Sequence, residues 1–157
     1  MDNIQFTKIR KGYILENSNI DKKVYLKFDK IKDISCGYTR VSKKNKGRNI
    51  INPQGELLWK EDKWFNMVGH FSEGFVRVYI EGKGWNYINT NGELLWEGDI
   101  WFNEAWDFQT DCVYDIIAKC ARVRIDHRVE YLLTNGEIFK YNSYNPEEYK
   151  PYDIWTW

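Results

Sequence analysis

The sequence has few of the side chains that build reactive or metal-binding sites. Its three cysteines, Cys36, Cys112 and Cys120, form no Cys-x-x-Cys pair. Neither a disulfide framework nor a zinc site is therefore expected; Cys112 and Cys120 are near enough to pair, but buried free thiols are the preferred interpretation. The two histidines, His70 and His127, have no nucleophile beside them in a known arrangement. The sequence thus predicts no catalytic residue, no metal site, no cofactor and no enzymatic activity.

Net charge and long apolar runs are also absent. Lysine plus arginine and aspartate plus glutamate number 23 each, so no overall field attracts nucleic acid or an anionic membrane, although a local patch is compatible with this balance. The start, MDNIQFTKIRKGYI, lacks the features of a signal peptide, and no stretch approaches a membrane span. We expect a soluble cytoplasmic protein with neither membrane nor nucleic acid among its partners.

Aromatic residues, in contrast, are abundant. They make up 17% of a chain of 157 residues, and eight of them are tryptophans. This length suits a single domain spanning residues 1–157. Because one buried tryptophan contributes up to roughly 5 kcal/mol, a few large side chains can hold short structural units together.

The sequence repeats itself at an interval of 37 residues. GRNIINPQGELLW at 47–59 returns as GWNYINTNGELLW at 84–96, and DISCGYTRV at 33–41 returns as HFSEGFVRV at 70–78. The same shift extends to a degenerate N-terminal copy, and VEYLLTNGEIF at 129–139 begins a last one. Such periodicity is typical of repeat proteins, whose terminal copies are atypical.

We predict four copies with one insertion. They span about 8–41, 42–78, 79–123 and 124–157, and the last includes a C-terminal cap. Phe108 follows Phe71 by 37 residues whereas Arg122 follows Arg77 by 45, which places the insertion near 109–121. Insertions in repeat proteins usually form loops or short helices on one face, and such segments often carry function.

Within a copy the local pattern is that of strands. FVRVYI alternates between two faces, EGKG supplies a turn, WNYINT predicts a second strand, and ELLW predicts a third. Asn91 and Gly92 fit a two-residue hairpin of the primed type. No long segment has a period of 3.6 residues. We therefore expect an all-β fold of about four antiparallel three-stranded meanders, stacked as a short curved solenoid-like or propeller-like domain.

Aromatic residues recur in register with these strands. A three-stranded sheet must cover one face, and neighbouring copies are the obvious cover. We predict that three recurring pairs fill the spaces between copies: Trp59 and Trp96, Phe65 and Phe102, and Phe71 and Phe108.

The segments GKGWNYINTNGELL, WFNEAWDF and FSEGFVRV resemble the bacterial WG-repeat family. The likeness covers residues 33–139, although the dipeptide that names the family is reversed here as Gly84-Trp85. The resemblance implies an all-β repeat protein from a bacterium or phage that mediates binding and has no family-wide catalytic residue.

Three arginines occupy one equivalent strand position in successive copies: Arg40, Arg77 and Arg122. The valines that follow them point inward, so the arginines lie on the opposite face. They form either a structural row packed on tyrosine and tryptophan rings or a surface that reads anions. Together with Trp85 and Trp106 they are candidate binding residues.

Other charged motifs have simple structural interpretations. Lys43, Lys44, Lys46 and Arg48 are expected in a solvated loop, with nucleic-acid recognition as the alternative. The segment 82–84 is expected to be a hairpin turn rather than a phosphate loop. The glutamates that follow the turn glycines are expected to be exposed turn-exit residues rather than paired catalytic acids: Glu56, Glu93 and Glu137.

The C-terminal segment YNSYNPEEYKPYDIWTW has two interpretations. It either folds back to cover the last copy, or it presents Trp155 and Trp157 as anchors for a partner. The preferred hypothesis for function is a non-enzymatic module that binds another protein through its arginines, its aromatic residues and the insertion. The alternative is capture of a small ligand, either a glycan stacked on tryptophan or a nucleotide-like anion on the arginine row.

Overall fold

The alternating pattern is realised as β-structure. The computed structural model describes residues 4–18, 22–35, 37–60, 63–113 and 116–139. Within these ranges there is no helix, and the strands are β1 (Ile4–Ile9), β2 (Gly12–Asn17), β3 (Lys22–Leu26), β4 (Lys30–Ser35), β5 (Tyr38–Lys43), β6 (Gly47–Ile51), β7 (Met67–Ser72), β8 (Phe75–Ile80), β9 (Gly84–Asn89), β10 (Glu104–Ala105), β11 (Gln109–Val113), β12 (Ile116–Ile125) and β13 (Arg128–Leu133). The predicted all-β class is confirmed.

The strands form four small antiparallel sheets, called sheets 1 to 4 in chain order. Sheets 1, 2 and 3 are meanders with the orders β1-β2-β3, β4-β5-β6 and β7-β8-β9. In sheet 4 the long strand β12 pairs with β13 along one edge and, in succession, with β11 and β10 along the other. The short tight turns between consecutive strands explain why every pairing is antiparallel.

The segment ELLW does not form the predicted third strand. Residues 93–96 contribute a single bridge, Ile88 to Leu94, and the equivalent segment contributes Ile51 to Leu57. The third strand of sheet 3 is β7 instead, which precedes FVRVYI. After the turn the N–H of Leu95 still donates to the carbonyl of Tyr87 at 2.8 Å. At the next residue the buried amide of Asn86 binds both backbone groups of Trp96, so the pairing with β9 ends there.

The turn before ELLW also differs from the prediction. A two-residue turn of type I′ needs positive φ at both central residues and one of type II′ needs it at the first, but only the second residue here, Gly92 at 80°, has one. The side-chain oxygen of Asn89 accepts from the backbone N–H groups of Asn91 at 2.9 Å and Glu93 at 3.0 Å. The turn is therefore built around the side chain of Asn89, a short-range bond that asparagine readily makes.

The insertion is a strand extension rather than a loop or short helix. In sheet 4 the strand β12 has ten residues where β8 has six, and its extra residues pair with β11 in the register Asp111–Ala118, Cys112–Ile117 and Val113–Ile116. The segment is rich in β-branched residues, which favour strands. The result is a first hairpin that is longer than its counterpart in sheet 3.

Consecutive sheets share buried clusters, and we call each shared interface a seam. Adjacent residues on one strand point to opposite faces, so Ile51 of β6 joins the cluster with sheet 1 while Ile50 joins the cluster with sheet 3. Likewise Ile88 of β9 faces the seam between sheets 2 and 3, and Tyr87 faces the seam between sheets 3 and 4. Both central sheets are therefore covered on two faces.

The predicted aromatic pairs lie in these seams. Phe65, Phe102 and Phe108 are each only 1% exposed. Trp59, Trp96 and Phe71 are half-buried against the same clusters. The rings also contact one another in a repeating way, because Trp59 stacks on Phe65 at 3.9 Å between centroids and Trp96 packs on Phe102 at 5.0 Å. The prediction that these six side chains fill the spaces between copies is confirmed.

Candidate functional site

Two of the three arginines bridge consecutive sheets. Arg40 of β5 donates from Nη1 to the carbonyl of Val68 at 2.9 Å, and Arg77 of β8 donates from Nη1 to the carbonyl of Ala105 at 2.7 Å. Each acceptor lies in the first strand of the following sheet. The repeated bond gives both arginines a structural role across a seam, and it commits part of each guanidinium group to the protein itself.

Arg77 has two further partners. Its Nε lies 3.0 Å from Oδ1 of Asp107, an ion pair without the geometry of a hydrogen bond, and its Cζ lies 5.4 Å from the ring centroid of Trp85. The structure therefore brings two of the predicted site residues, Arg77 and Trp85, into direct contact. Because the ring of Trp85 is half-buried and covered by Arg77, little of it is free to stack on a sugar.

Tyr87 lies beside this ion pair. Its hydroxyl group donates to the carbonyl of Trp106 at 2.5 Å. Burial raises the pKa of Tyr87 well above its ordinary value; Asp107 raises it further, while Arg77 and the bond to Trp106 oppose the shift. The phenol is therefore a fixed hydrogen-bond donor at neutral pH and has no capacity to act as a base.

Arg122 differs from its two counterparts. It is exposed, and its Cζ lies 4.6 Å from the ring centroid of Trp106. Among the described residues it has no carbonyl acceptor in a following sheet. Most of its hydrogen-bond donors therefore have no partner in the described part of the chain, and the tryptophan restricts its motion. Trp155 and Trp157, together with the predicted C-terminal cap, lie outside the described residues.

The elongated hairpin β11–β12 is fixed to the preceding sheet. Lys119 Nζ lies 3.1 Å from Oε2 of Glu73 at the tip of the β7–β8 hairpin, and the hydroxyl of Ser72 donates to the carbonyl of Phe108 at 2.5 Å. Ile117, two residues before Lys119 on β12, is 77% exposed. The hairpin thus presents a large apolar side chain to solvent from an anchored strand.

Sequence reasoning did not identify the two fully buried asparagines. Asn49 donates to the carbonyls of Trp59 at 2.9 Å and Lys63 at 2.8 Å, and Asn86 donates to the carbonyl of Trp96 at 2.9 Å. Both are 0% exposed. Their separation of 37 residues was a visible signal, since a polar residue that recurs beside apolar strand positions is a candidate for a buried hydrogen-bonding role.

The histidines and the turn-exit glutamates are dispersed over the surface of the described residues. His70 and His127 are both exposed. Within the described ranges, no group of three or more histidine, cysteine, aspartate or glutamate residues is placed to hold a metal ion. The turn-exit glutamates are exposed, as predicted, and Glu56 and Glu93 accept bonds from the side-chain amides of Asn52 and Asn89.

The remaining sequence motifs have structural explanations. The thiol of Cys120 is buried, in agreement with the prediction, whereas Cys36 lies outside the described residues. Gly82 and Lys83 lie in the turn between β8 and β9, where the N–H of Lys83 donates to the carbonyl of Ile80 at 3.0 Å, and Gly84 begins β9. The segment 44–46 forms the exposed turn between β5 and β6.

Comparison with known proteins assigns the chain to no family. No protein-family model matches the chain, and no curated protein matches it in sequence. None of the described residues belongs to a helix of the length and apolar character needed to span a membrane.

Proposed function

We propose that the protein is a non-enzymatic module that binds another protein through the elongated hairpin β11–β12. The observation that carries this proposal is the 77% exposure of Ile117 on a hairpin that sheets 1 to 3 lack. The fold of those sheets is complete without such an extension, so the extension is not a requirement of the architecture. A large apolar group held on an ordered strand suits burial against a protein partner.

The hairpin also offers backbone groups. Among the described residues, β11 pairs with β12 along one edge only. A strand with a neighbouring strand on one side only, next to an exposed apolar side chain, is the arrangement that accepts an added strand from a partner. Arg122, which lies further along β12 and rests on Trp106, provides a charged and aromatic contact near the base of the hairpin.

We further propose that the four sheets form a short curved array of the solenoid-like or propeller-like kind, similar to the WG-repeat family. Recurrent contacts across the seams support this proposal. The bond from Arg40 to Val68 recurs as the bond from Arg77 to Ala105. A Cβ on Gly92 would lie 2.1 Å from the carbonyl oxygen of Leu58. The equivalent turn glycine of sheet 4 is Gly136, where a Cβ would lie 2.7 Å from the carbonyl oxygen of Leu95.

Protein binding through the hairpin is tested by shortening the hairpin to the length found in sheet 3. Deletion of residues 111–118, with Thr110→Asn and Lys119→Gly, recreates a two-residue turn like that at Glu73 and Gly74, both of which have positive φ. Affinity purification from lysate of the source cell, quantified by mass spectrometry, should recover a partner with the intact protein and lose it with the shortened one. Far-UV circular dichroism checks that the variant is folded.

A point variant separates the apolar contact from the hairpin as a whole. Ile117→Asp should lower recovery of the same partner by about tenfold, because a charge then enters the apolar contact. The matched control is Ile100→Asp, since Ile100 is 82% exposed but lies in a connector rather than on the hairpin. Equal recovery with Ile117→Asp, or the absence of any partner above background, contradicts the proposal.

A further inference from the structure

Sheet 2 carries a shallow groove with a concentration of positive charge. Two adjoining depressions, of about 660 and 270 Å3, share Lys30, Ser42 and Arg48 in their walls. We call them together the basic groove, and six of its cationic side chains matter here: Lys30, Lys32, Arg40, Lys43, Lys44 and Arg48. Asp29 is the one carboxylate among its lining residues. The chain as a whole is neutral, so the positive charge of the groove is a local excess.

The residues come from three strands that pairing brings side by side. Lys32 pairs with Arg40, and Lys30 pairs with Ser42, which pairs in turn with Arg48. Lys43, Lys44 and Arg48 lie together in the sequence, but Lys30 and Lys32 lie more than ten residues before them, so the run at 43–48 alone does not reveal the groove. Except for the half-buried Arg40, the six side chains are exposed.

These charges are not neutralised within the described part of the chain. No carboxylate described there lies within ion-pair distance of Lys30, Lys43 or Arg48, and the same holds for the other three. Asp29 is occupied differently, because its Oδ2 accepts from the backbone N–H of Lys44 at 2.5 Å. Sheet 4 differs in this respect. At the positions equivalent to Lys30 and Ser42 it has Glu104 and Arg124, which form an ion pair at 2.6 Å, so the charge of that arginine is balanced.

The repeat supplies an internal test of whether the fold needs these charges. Shifting by 37 residues places Met67 at the position of Lys30, Glu81 at that of Lys44, and Trp85 at that of Arg48. Gly69 replaces Lys32 and Ile80 replaces Lys43. Sheet 3 forms the same meander without them, so their charge is dispensable for the architecture.

Other parts of the groove do recur and have structural roles. Arg40 recurs as Arg77, and Lys46, which also lines the groove, recurs as Lys83. Asp29 holds the turn 44–46, and in sheet 3 an asparagine does the same: the side-chain oxygen of Asn66 accepts from the N–H of Glu81 at 2.7 Å. The scaffold is therefore repeated, whereas five of the six cationic side chains have no cationic equivalent in sheet 3.

The groove is held in place before any ligand arrives. The Asp29 bond fixes the turn 44–46, Arg48 donates from Nη1 to the carbonyl of Asn66, and Arg40 donates to the carbonyl of Val68 at 2.9 Å. Each arginine uses one nitrogen in this way and keeps other donors for a ligand. A surface that is ordered in advance loses less entropy on binding.

We propose that the basic groove binds a small ligand that carries several consecutive phosphate groups. This inference is independent of the protein-binding hairpin. Like-charged side chains that have no carboxylate partner in the described part of the chain call for a ligand of high negative charge in a small volume, and arginine forks together with lysines match phosphate oxygens. The combined volume is of the size that small-molecule sites have.

Two macromolecular alternatives fit less well. No aromatic side chain is among the lining residues, so the groove lacks the stacking surface on which single-stranded nucleic acid is held. An acidic peptide spreads its carboxylates on flexible side chains and delivers less charge per volume than linked phosphates. Both alternatives are resolved by the same measurement.

The test is isothermal titration calorimetry of the full chain with tripolyphosphate at low salt. We expect saturable binding that weakens as salt is added, because exposed charges are screened. ATP in a second titration distinguishes the sources: equal affinity indicates that the phosphate chain alone is recognised, and tighter binding of ATP indicates a nucleoside polyphosphate. Absence of binding at millimolar concentration overturns the proposal, as does tighter binding of a polyglutamate peptide or a thymidine oligonucleotide.

The variants exchange residues of sheet 2 for those of sheet 3. Lys30→Met combined with Lys44→Glu should weaken tripolyphosphate binding about tenfold or more, since two cations are lost and one carboxylate is gained. Asp29→Asn keeps the acceptor that Asn66 provides in sheet 3 and removes the one negative charge, so it should tighten binding roughly two- to fivefold. Lys8→Met is the matched control, because Lys8 is exposed on β1 and outside the groove; it should leave the affinity for tripolyphosphate unchanged. Unchanged affinity in the first two variants overturns the proposal.

Discussion

Asn86 binds both backbone polar groups of Trp96. Its Nδ2 donates to the Trp96 carbonyl at 2.9 Å, and its Oδ1 accepts from the Trp96 N–H at 3.0 Å. Asn49 holds Trp59 in the same way, at 2.9 and 3.3 Å. A buried amide thus replaces a pair of strand hydrogen bonds and turns the chain toward the next sheet, which makes it a joint between repeated units.

Replacement of this amide should destabilise the fold. In Asn86→Ala the Trp96 N–H and carbonyl groups lose their partner in a half-buried position, so we expect the free energy of unfolding to fall by roughly 2 to 4 kcal/mol. Asn91→Ala is the control, because Asn91 is exposed in the neighbouring turn, and its effect should stay within about 0.5 kcal/mol. Urea titration followed by circular dichroism measures both. Similar losses in the two variants contradict the role assigned to Asn86.

Gly84 is required by a close approach of the chain to itself. Its φ is 114°, and a Cβ would lie 2.6 Å from the carbonyl oxygen of Phe102. Gly84→Ala should therefore lower stability by roughly 2 to 4 kcal/mol, through backbone strain and displacement of the connector.

The matched control for Gly84 is Gly82→Asn in the same turn. Gly82 has open space around it, and Asn45 occupies the equivalent position in sheet 2 with a φ of 67°. Thermal unfolding of the two variants should separate them clearly. A melting temperature for Gly84→Ala equal to that of Gly82→Asn argues against the close approach as the cause.

The equivalent arginines should differ in their effect on stability. Arg77→Met removes the bond to Ala105 and leaves Asp107 without its cation; because the side chain is 34% exposed, we expect a moderate loss of roughly 1 to 2 kcal/mol. Arg122→Met loses only the contact with Trp106 and should change stability by about 0.5 kcal/mol or less. Denaturant unfolding of both variants is the measurement. The reverse order would show that Arg122 rather than Arg77 joins the sheets.

Tyr87 should contribute a loss of stability at alkaline pH. Its pKa is raised in the folded protein, so below the ordinary value of 10.0 the phenol is protonated in both states and its contribution does not vary with pH. Above that value the unfolded chain releases the proton while the folded chain retains it. The free energy of unfolding then falls by up to about 1.4 kcal/mol per pH unit from this group.

The comparison with Tyr87→Phe isolates this effect. The variant lacks the bond to the Trp106 carbonyl and starts about 1 kcal/mol less stable, but its stability should decline less steeply above pH 10 because it has no phenol to titrate. Unfolding measured at several pH values between 8 and 11 gives both slopes. Parallel curves would mean that Tyr87 does not hold its proton in the folded state.

Much of the framework could be predicted from local pattern. Alternation in FVRVYI gave strand β8, and recurrence at 37 residues predicted the burial of Phe65 and Phe102 in equivalent places. The predicted ELLW strand was wrong because alternation does not reveal that a distant amide, Asn86, competes for the same backbone groups. The first strand of sheet 3 was missed because MVGHFS carries no clear alternation.

The candidate site was less predictable. The three arginines were recognisable as equivalents, but their unequal roles depend on what the following sheet offers, and that sheet lies 28 residues further along the chain for Arg40 and Arg77. The basic groove was visible in sequence only as the run at 43–48, since Lys30 and Lys32 reach it through strand pairing.

The sequence by itself determined the repeating unit, the β-class and the large side chains that fill the seams, because period, alternation and side-chain volume are properties of a local stretch. Only the tertiary structure decided which polar groups are satisfied and which stay open. Arg77 is bound to Ala105 and Asp107, whereas Arg122, Lys30 and Lys43 face solvent. The physical reason is that a hydrogen bond or ion pair needs its partner within a few ångströms, and the fold alone sets that distance.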